Sequence, residues 1–246
     1  MGLLDLFFET DPLEKHQKTL TNMYMQDSER KFAIQALHDM ASEEAVEVLL
    51  TRFDETAPNT TVDIEEKEHV YDVLVDIGRS TDVDVAGMVT EHLAESQDKI
   101  NWPLKVLKDL LTYEEMVEVV KDLLETCADG YQQNPEKKQE LMLQSAELRD
   151  RELAEKLVDF LEDSNETIRF LAVDAVVHQE YDEIVEEPLR ERLYEEDSLR
   201  NVKKIAEVFA DHRDWKIPEA EQADIEQALP EEYGIHKEGH IYQRRI

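Results

Sequence analysis

Apolar residues recur along this chain at intervals of three and four, and hardly anywhere at intervals of two. In Asn165-Glu166-Thr167-Ile168-Arg169-Phe170-Leu171-Ala172-Val173-Asp174-Ala175-Val176, the residues Ile168, Leu171, Ala172, Ala175 and Val176 form one narrow stripe of a helix. The alanines stand where a second helix must come close. Arg30-Lys31-Phe32-Ala33-Ile34-Gln35-Ala36-Leu37 repeats the design, and Val202, Ile205, Ala206 and Phe209 give the stripe a third time. A unit that returns in this way marks an array of stacked repeats, whose members bury their apolar faces on one another.

The same periodicity and its punctuation predict the other elements. Asp11 and Pro12 start a helix running to about Met25. Ser28 caps the next, which ends near Met40, and Ser42 with Glu43 and Glu44 starts its partner through Phe53. Residues 54–63 read as the longest loop. Val70, Val73, Leu74 and Ile77 give a stripe closed by Gly78 as a C-cap, and Asp82 opens a partner with Val85, Val89 and Leu93 inward. Asn101-Trp102-Pro103 and Asn134-Pro135 start two further pairs. Pro188 falls in the first turns of the helix carrying Val185, Leu189 and Leu193, or kinks it. A poorly patterned stretch around Trp215 and Pro218 leads to a short helix ending near Leu229.

First helices thus start near Ser28, Glu65, Asn101, Pro135, Asn165 and Ser198, at spacings of about 37, 36, 34, 30 and 33 residues. No shift in composition separates domains. The expected fold is all-α, a single α-solenoid over 1–246 of about six helical hairpins, with an N-terminal cap segment at 1–11 and a polar tail at 230–246. Leu3, Leu4, Leu6, Phe7 and Phe8 would close the open core of the first repeat, with docking to a partner or membrane as the rival role.

The hairpins resemble HEAT repeats, in particular the short bacterial, phycobilin-lyase-like class. The resemblance rests on Thr167 to Val176, on Arg30 to Leu37, and on Leu199-Arg200. It is good in the first and fifth units and partial in the others, which lack the Arg-x-x-Ala-x-x-Ala core. The segments Gly2 to Phe7 and Gly239 to Arg245 are similar to the ends of bacterial HEAT-repeat proteins. The resemblance implies a scaffolding role and no catalytic residues.

Charge narrows the partners. Sixty acidic residues against 27 basic ones give a net charge of −33. A nucleic-acid backbone or an anionic membrane needs Lys/Arg neutralisation, so both are disfavoured; the acidic excess reads as a solvated surface, with a basic protein partner as the sharper alternative. Cys127 is the one cysteine and falls on an apolar stripe, so no intrachain disulfide exists and the thiol reads as a small core residue. The first residues lack the basic start of a signal peptide, and no apolar run approaches a membrane span. The expected location is the cytoplasm.

Motifs of catalysis are missing from the sequence: no G-x-S-x-G, phosphate-binding loop, dinucleotide fingerprint or H-E-x-x-H occurs. Carboxylate pairs such as Glu43/Glu44 and Glu65/Glu66 are too abundant to single out an acid–base site. His236 and His240 flank Glu238 in a spacing that suits a metal, but the surrounding segment reads as a mobile polar tail, so no metal or cofactor is assigned.

The expected function is a non-catalytic scaffold that binds a protein or peptide, Lys/Arg-rich by preference. Opposite the apolar stripes of the second helices lie Glu47, Glu91, Glu118, Glu155, Glu187 and Glu191, which would stack into an acidic column able to recruit it. A phycobilin-lyase-like enzyme or chaperone and a nucleic-acid-processing HEAT-like protein are the alternatives. The oligomeric state is not legible.

Overall fold

The computed structural model describes residues 11–96, 99–128 and 135–244. These hold thirteen α-helices and one two-stranded antiparallel hairpin, so the chain is all-α apart from a small C-terminal β element. No helix among the described residues is long and apolar enough to cross a membrane. The N-terminal apolar residues Leu3 to Phe8 lie outside the described residues. Contacts divide the chain into two compact units, with the boundary between Met116 and Val117, inside α7 (Tyr113–Ala128).

The first unit contains α1 (Pro12–Thr21), α2 (Asp27–Met40), α3 (Glu43–Asp54), α4 (Thr60–Ser80), α5 (Val85–Glu95) and α6 (Asn101–Leu110). From α1 to α4, each helix packs on the next and on the next but one. Caps set the boundaries: the side chains of Asp11, Ser42, Asn59 and Asp84 accept from the first free backbone N–H groups of α1, α3, α4 and α5.

Several boundaries differ from the pattern. Helix α1 stops at Thr21. Ser28 lies inside α2, whose N-cap is Gln26, with the Glu29 carboxylate reaching back to the Gln26 N–H at 3.2 Å. Helix α4 starts at Thr60, which shortens the expected loop. It also runs through Gly78 to Ser80, so Gly78 is not a cap. It marks a close approach instead: a Cβ there would stand 2.9 Å from Leu110 Cδ1 on α6. Asp84, not Asp82, caps α5.

The core is the predicted stripe. Ile34, Leu37, Val46, Leu49, Val70, Leu74, Val89, Leu93, Leu104 and Leu107 are fully buried. Buried among them is a charged network. The Arg52 and Glu66 side chains have no solvent exposure. Arg52 donates from Nε and Nη2 to Glu66 Oε2 at 3.1 and 3.0 Å, and from Nη2 to Asp63 Oδ1 at 2.8 Å. Lys67 Nζ lies 3.0 Å from Asp63 Oδ2. Burial pushes the Asp63 carboxyl upward, but the Ala57 N–H, Arg52 and Lys67 outweigh it and hold the carboxyl below the usual carboxylate range.

The second unit continues from α7 through α8 (Glu136–Ser145), α9 (Arg151–Val158) with a 3-10 turn at Asp159–Glu162, α10 (Glu166–His178), α11 (Asp182–Glu195), α12 (Leu199–Asp211) and α13 (Gln222–Ala228). Alternate helices again pack: α8 on α10, α10 on α12, α9 on α11 and α11 on α13. Ala172, Ala175 and Val176 are fully buried, whereas Leu171 is half-buried. Pro188 sits in the interior of α11, which runs on through it; the Ile184 carbonyl there loses its usual donor. Gln179 is buried and ties the end of α10 to the α8–α9 link, donating to the Ser145 and Leu148 carbonyls and accepting from Asp150 N–H. Cys127 is buried and free.

Ion pairs lace the second helices at an even interval. Lys121 to Glu152, Lys156 to Glu125 and Arg190 to Glu221 each span 31 residues, and Arg151 to Glu183 spans 32.

The C-terminal stretch is not an irregular tail. Strands β1 (Tyr233–Ile235) and β2 (Ile241–Gln243) pair antiparallel, with Tyr233 opposite Gln243 and Ile235 opposite Ile241. Tyr233 and Ile241 are buried, and β2 packs on α12. Trp215, in the poorly patterned stretch, is buried edge-on to Phe209 at 5.2 Å and stacked on His212 at 4.4 Å.

Candidate functional site

In the first unit, α3 and α5 lie side by side with their apolar stripes turned inward. Their outer turns bound a groove of about 460 Å³. Glu43 and Glu47 line it from α3, one helical turn apart; Glu91 and Glu95 line it from α5 in the same relation, and Asp84 adds a fifth carboxylate from the α5 N-cap. Asp84 is fixed by accepting from Gly87 N–H at 2.9 Å. Leu50, which is buried, and Met88, which is half-buried, give the floor an apolar strip. No Lys or Arg lines the groove. His92 also lines it, with Nε2 3.4 Å from Asp54 Oδ1.

Two of the six sequence-predicted residues, Glu47 and Glu91, meet in this groove. The other four lie in the second unit, all exposed, and three of them are paired with cations. Glu118 is 2.7 Å from Lys121 Nζ, which also takes Glu152 at 2.7 Å; the hydrogen bonds that the ammonium donates to both carboxylates raise the lysine above its ordinary value. Glu155 lies 3.5 Å from Arg151, and Glu187 lies 3.7 Å from Arg190. Glu191 is exposed on α11. The second-helix faces of this unit are therefore ionic lattices of both signs, while the α3/α5 groove is acidic alone.

Glu43, Asp84 and Glu95 were missed by the sequence reading, although i, i+4 spacing to Glu47 and Glu91 was a usable signal for two of them. The basic tail residue Arg244 is held locally, pairing with Glu226 at 2.6 Å and with the Glu231 carbonyl at 3.1 Å. Among the described residues, one trio of metal-ligand types comes together: His236, Glu238 and His240.

Comparison of the chain with family models, with curated proteins and with solved structures finds no match.

Proposed function

We propose that the hairpins of both units are HEAT-like repeats, about six in all, and that the chain is a non-catalytic scaffold whose α3/α5 groove docks a Lys/Arg-rich protein segment. One observation carries the reading: five carboxylates from two adjacent helices converge on an apolar strip with no cation in the lining. A lysine or arginine side chain suits that surface. Its aliphatic stem covers Leu50 and Met88 while its charged head meets the acids. The even interval of the second-helix ion pairs, and the like roles of Arg30 and Arg169 in the two best-matched units, support the repeat assignment.

The test is capture of partners from native extract by the intact chain and by Glu47→Lys/Glu91→Lys. The reading expects a basic partner that elutes with salt and is lost from the variant. Equal capture by both chains overturns it.

A further inference from the structure

The β1–β2 turn carries a constellation that the docking reading does not use. The register that places Ile235 opposite Ile241 continues to His236 opposite His240, and the His236 N–H donates to the His240 carbonyl at 2.9 Å. Directly opposed residues of a hairpin share a face. The two imidazoles accordingly lie 4.5 Å apart between centroids, with an interplanar angle of 24°. Three residues, Lys237, Glu238 and Gly239, make the connection. Gly239 has φ +92°, the left-handed position that a three-residue hairpin loop needs. Its N–H closes the turn onto the His236 carbonyl at 2.7 Å.

The turn is anchored from behind. The Gly239 carbonyl accepts from Ile217 N–H at 2.9 Å, and the Ile217 carbonyl accepts from Gln222 Nε2 at 3.0 Å. A side chain at Gly239 would stand 3.0 Å from the Ile217 carbonyl oxygen, so the contact is tight. Strand β1 is pinned by Ile235 N–H donating to Glu226 at 2.8 Å. The histidines thus rest on a fixed scaffold.

Glu238 completes the set from the loop. Its carboxylate is 3.8 Å from His236 Nδ1, and its N–H donates to that same nitrogen at 3.3 Å. His236 Nδ1 therefore already faces the loop. One ligand atom from each of the three residues falls within 4.8 Å of the others. A tetrahedral Zn²⁺ with bonds of ~2.1 Å needs ligand atoms ~3.4 Å apart, a closure that side-chain rotation supplies.

The geometry points to a divalent metal site at this turn, formed by His236, Glu238 and His240, for a borderline transition ion of the Zn²⁺ class. Two imidazoles and one carboxylate select such an ion over Mg²⁺ or Ca²⁺, which take oxygen ligands. Three protein ligands leave a coordination position for water or an incoming group. The acidic surface of the whole chain raises the local cation concentration around it. Bound metal would clamp the two strands and add stability in proportion to its occupancy. The site stands independently of the α3/α5 groove.

The experiment is calorimetric titration of the chelator-stripped full chain with ZnCl₂ in excess MgCl₂, which occupies the exposed carboxylates. The expected result is one saturable Zn²⁺ per chain. It should be lost in His236→Asn and in His240→Asn, and weakened in Glu238→Gln, whose exposed side chain can change without disturbing the fold. Histidine-detected NMR of the unaltered chain provides a readout free of mutation: His236 and His240 should be the resonances that move with the first equivalent. No saturable Zn²⁺ binding overturns the site, as does movement of other histidines first or unchanged binding in the Glu238 and histidine variants.

Discussion

The Arg30 guanidinium lies side-on to the buried Glu66 carboxylate across α2 and α4, with Nε at 2.9 and 3.0 Å and Nη2 at 2.8 Å. Its remaining nitrogen, Nη1, donates to the Met25 carbonyl at 2.5 Å. Arg169 does the same work in the second unit: it pairs with Glu196 at 2.7 and 2.8 Å and donates from Nη1 to the Asp163 carbonyl at 2.8 Å. In both places the arginine fastens its helix to a carboxylate further along the chain and to the loop before it.

Glu66 also accepts from Arg52, so its loss leaves the buried Arg30 guanidinium with no carboxylate and Arg52 with Asp63 alone. Glu66→Ala should destabilise the chain by about 3–5 kcal/mol, because uncompensated buried charge is the dominant cost. The adjacent Glu65 is exposed and reaches only Lys31 at 3.4 Å, so Glu65→Ala should cost less than about 1 kcal/mol. Urea unfolding of the two variants measures the contrast; similar midpoints would show that the network carries no net stability.

That network was legible and was passed over. Read as an abundant acid pair, Glu65/Glu66 says nothing. Read by register, Glu66 continues the stripe of Val70, Val73, Leu74 and Ile77, as Arg30 continues that of Ala33, Ile34 and Leu37, and Arg52 that of Val46, Leu49 and Phe53. A charge on an apolar stripe must find a partner, and three such charges predict one another. The helices themselves were legible because period 3.6 runs through nearly all of them. The division within α7 was not, since composition is uniform across it. The groove was half legible. Glu47 and Glu91 follow from helix faces, but which faces lie side by side is decided by packing. The terminal hairpin was hidden because strands of three residues show no period, although His-Lys-Glu-Gly-His is a loop with glycine where the turn demands it.

Glu196 makes stability depend on acid. Burial alone would push its carboxyl up, but Arg169, the Ser198 N–H and Arg192 hold it down at about 2, against an ordinary value of 4.5. A depressed carboxyl contributes fully above its unfolded value and loses that contribution as pH falls from there through its folded one. The contribution at neutral pH is on the order of 3 kcal/mol. Urea midpoints should therefore separate the native chain from Glu196→Gln at pH 6 to 7, and converge as the pH approaches about 2. A gap that stays constant with pH would assign the difference to packing instead.

Ala172 has no exposure at the centre of α10, which packs on α8, α9, α11 and α12. Ala172→Asp places an unpaired charge among those helices and should cost about 3–5 kcal/mol. Circular dichroism during heating should show an early loss of helix. Ala172→Ser, which adds a small hydroxyl able to bond the carbonyl one turn back, should cost far less. If both variants melt like the parent chain, the alternate-helix packing of the second unit is wrong.

The groove and the ionic lattice make opposite predictions for charge reversal. Glu47 and Glu91 face a lining with no cation, so replacing both with Lys turns an attractive surface repulsive. Association of a Lys/Arg-rich peptide should slow, most of all at low salt, because such attraction acts on the encounter and is screened within about 10 Å at 0.1 M salt. Glu118 and Glu155 already sit against Lys121 and Arg151, so their field is largely neutralised at its source. Reversing those two should leave peptide association nearly unchanged, while weakening the ion pairs that join α7, α9 and α11. Stopped-flow fluorescence with the two double variants, at low and high salt, separates the outcomes. Equal slowing in both would mean that the chain attracts basic segments by its net charge alone, and the α3/α5 groove would lose its claim to be the docking site.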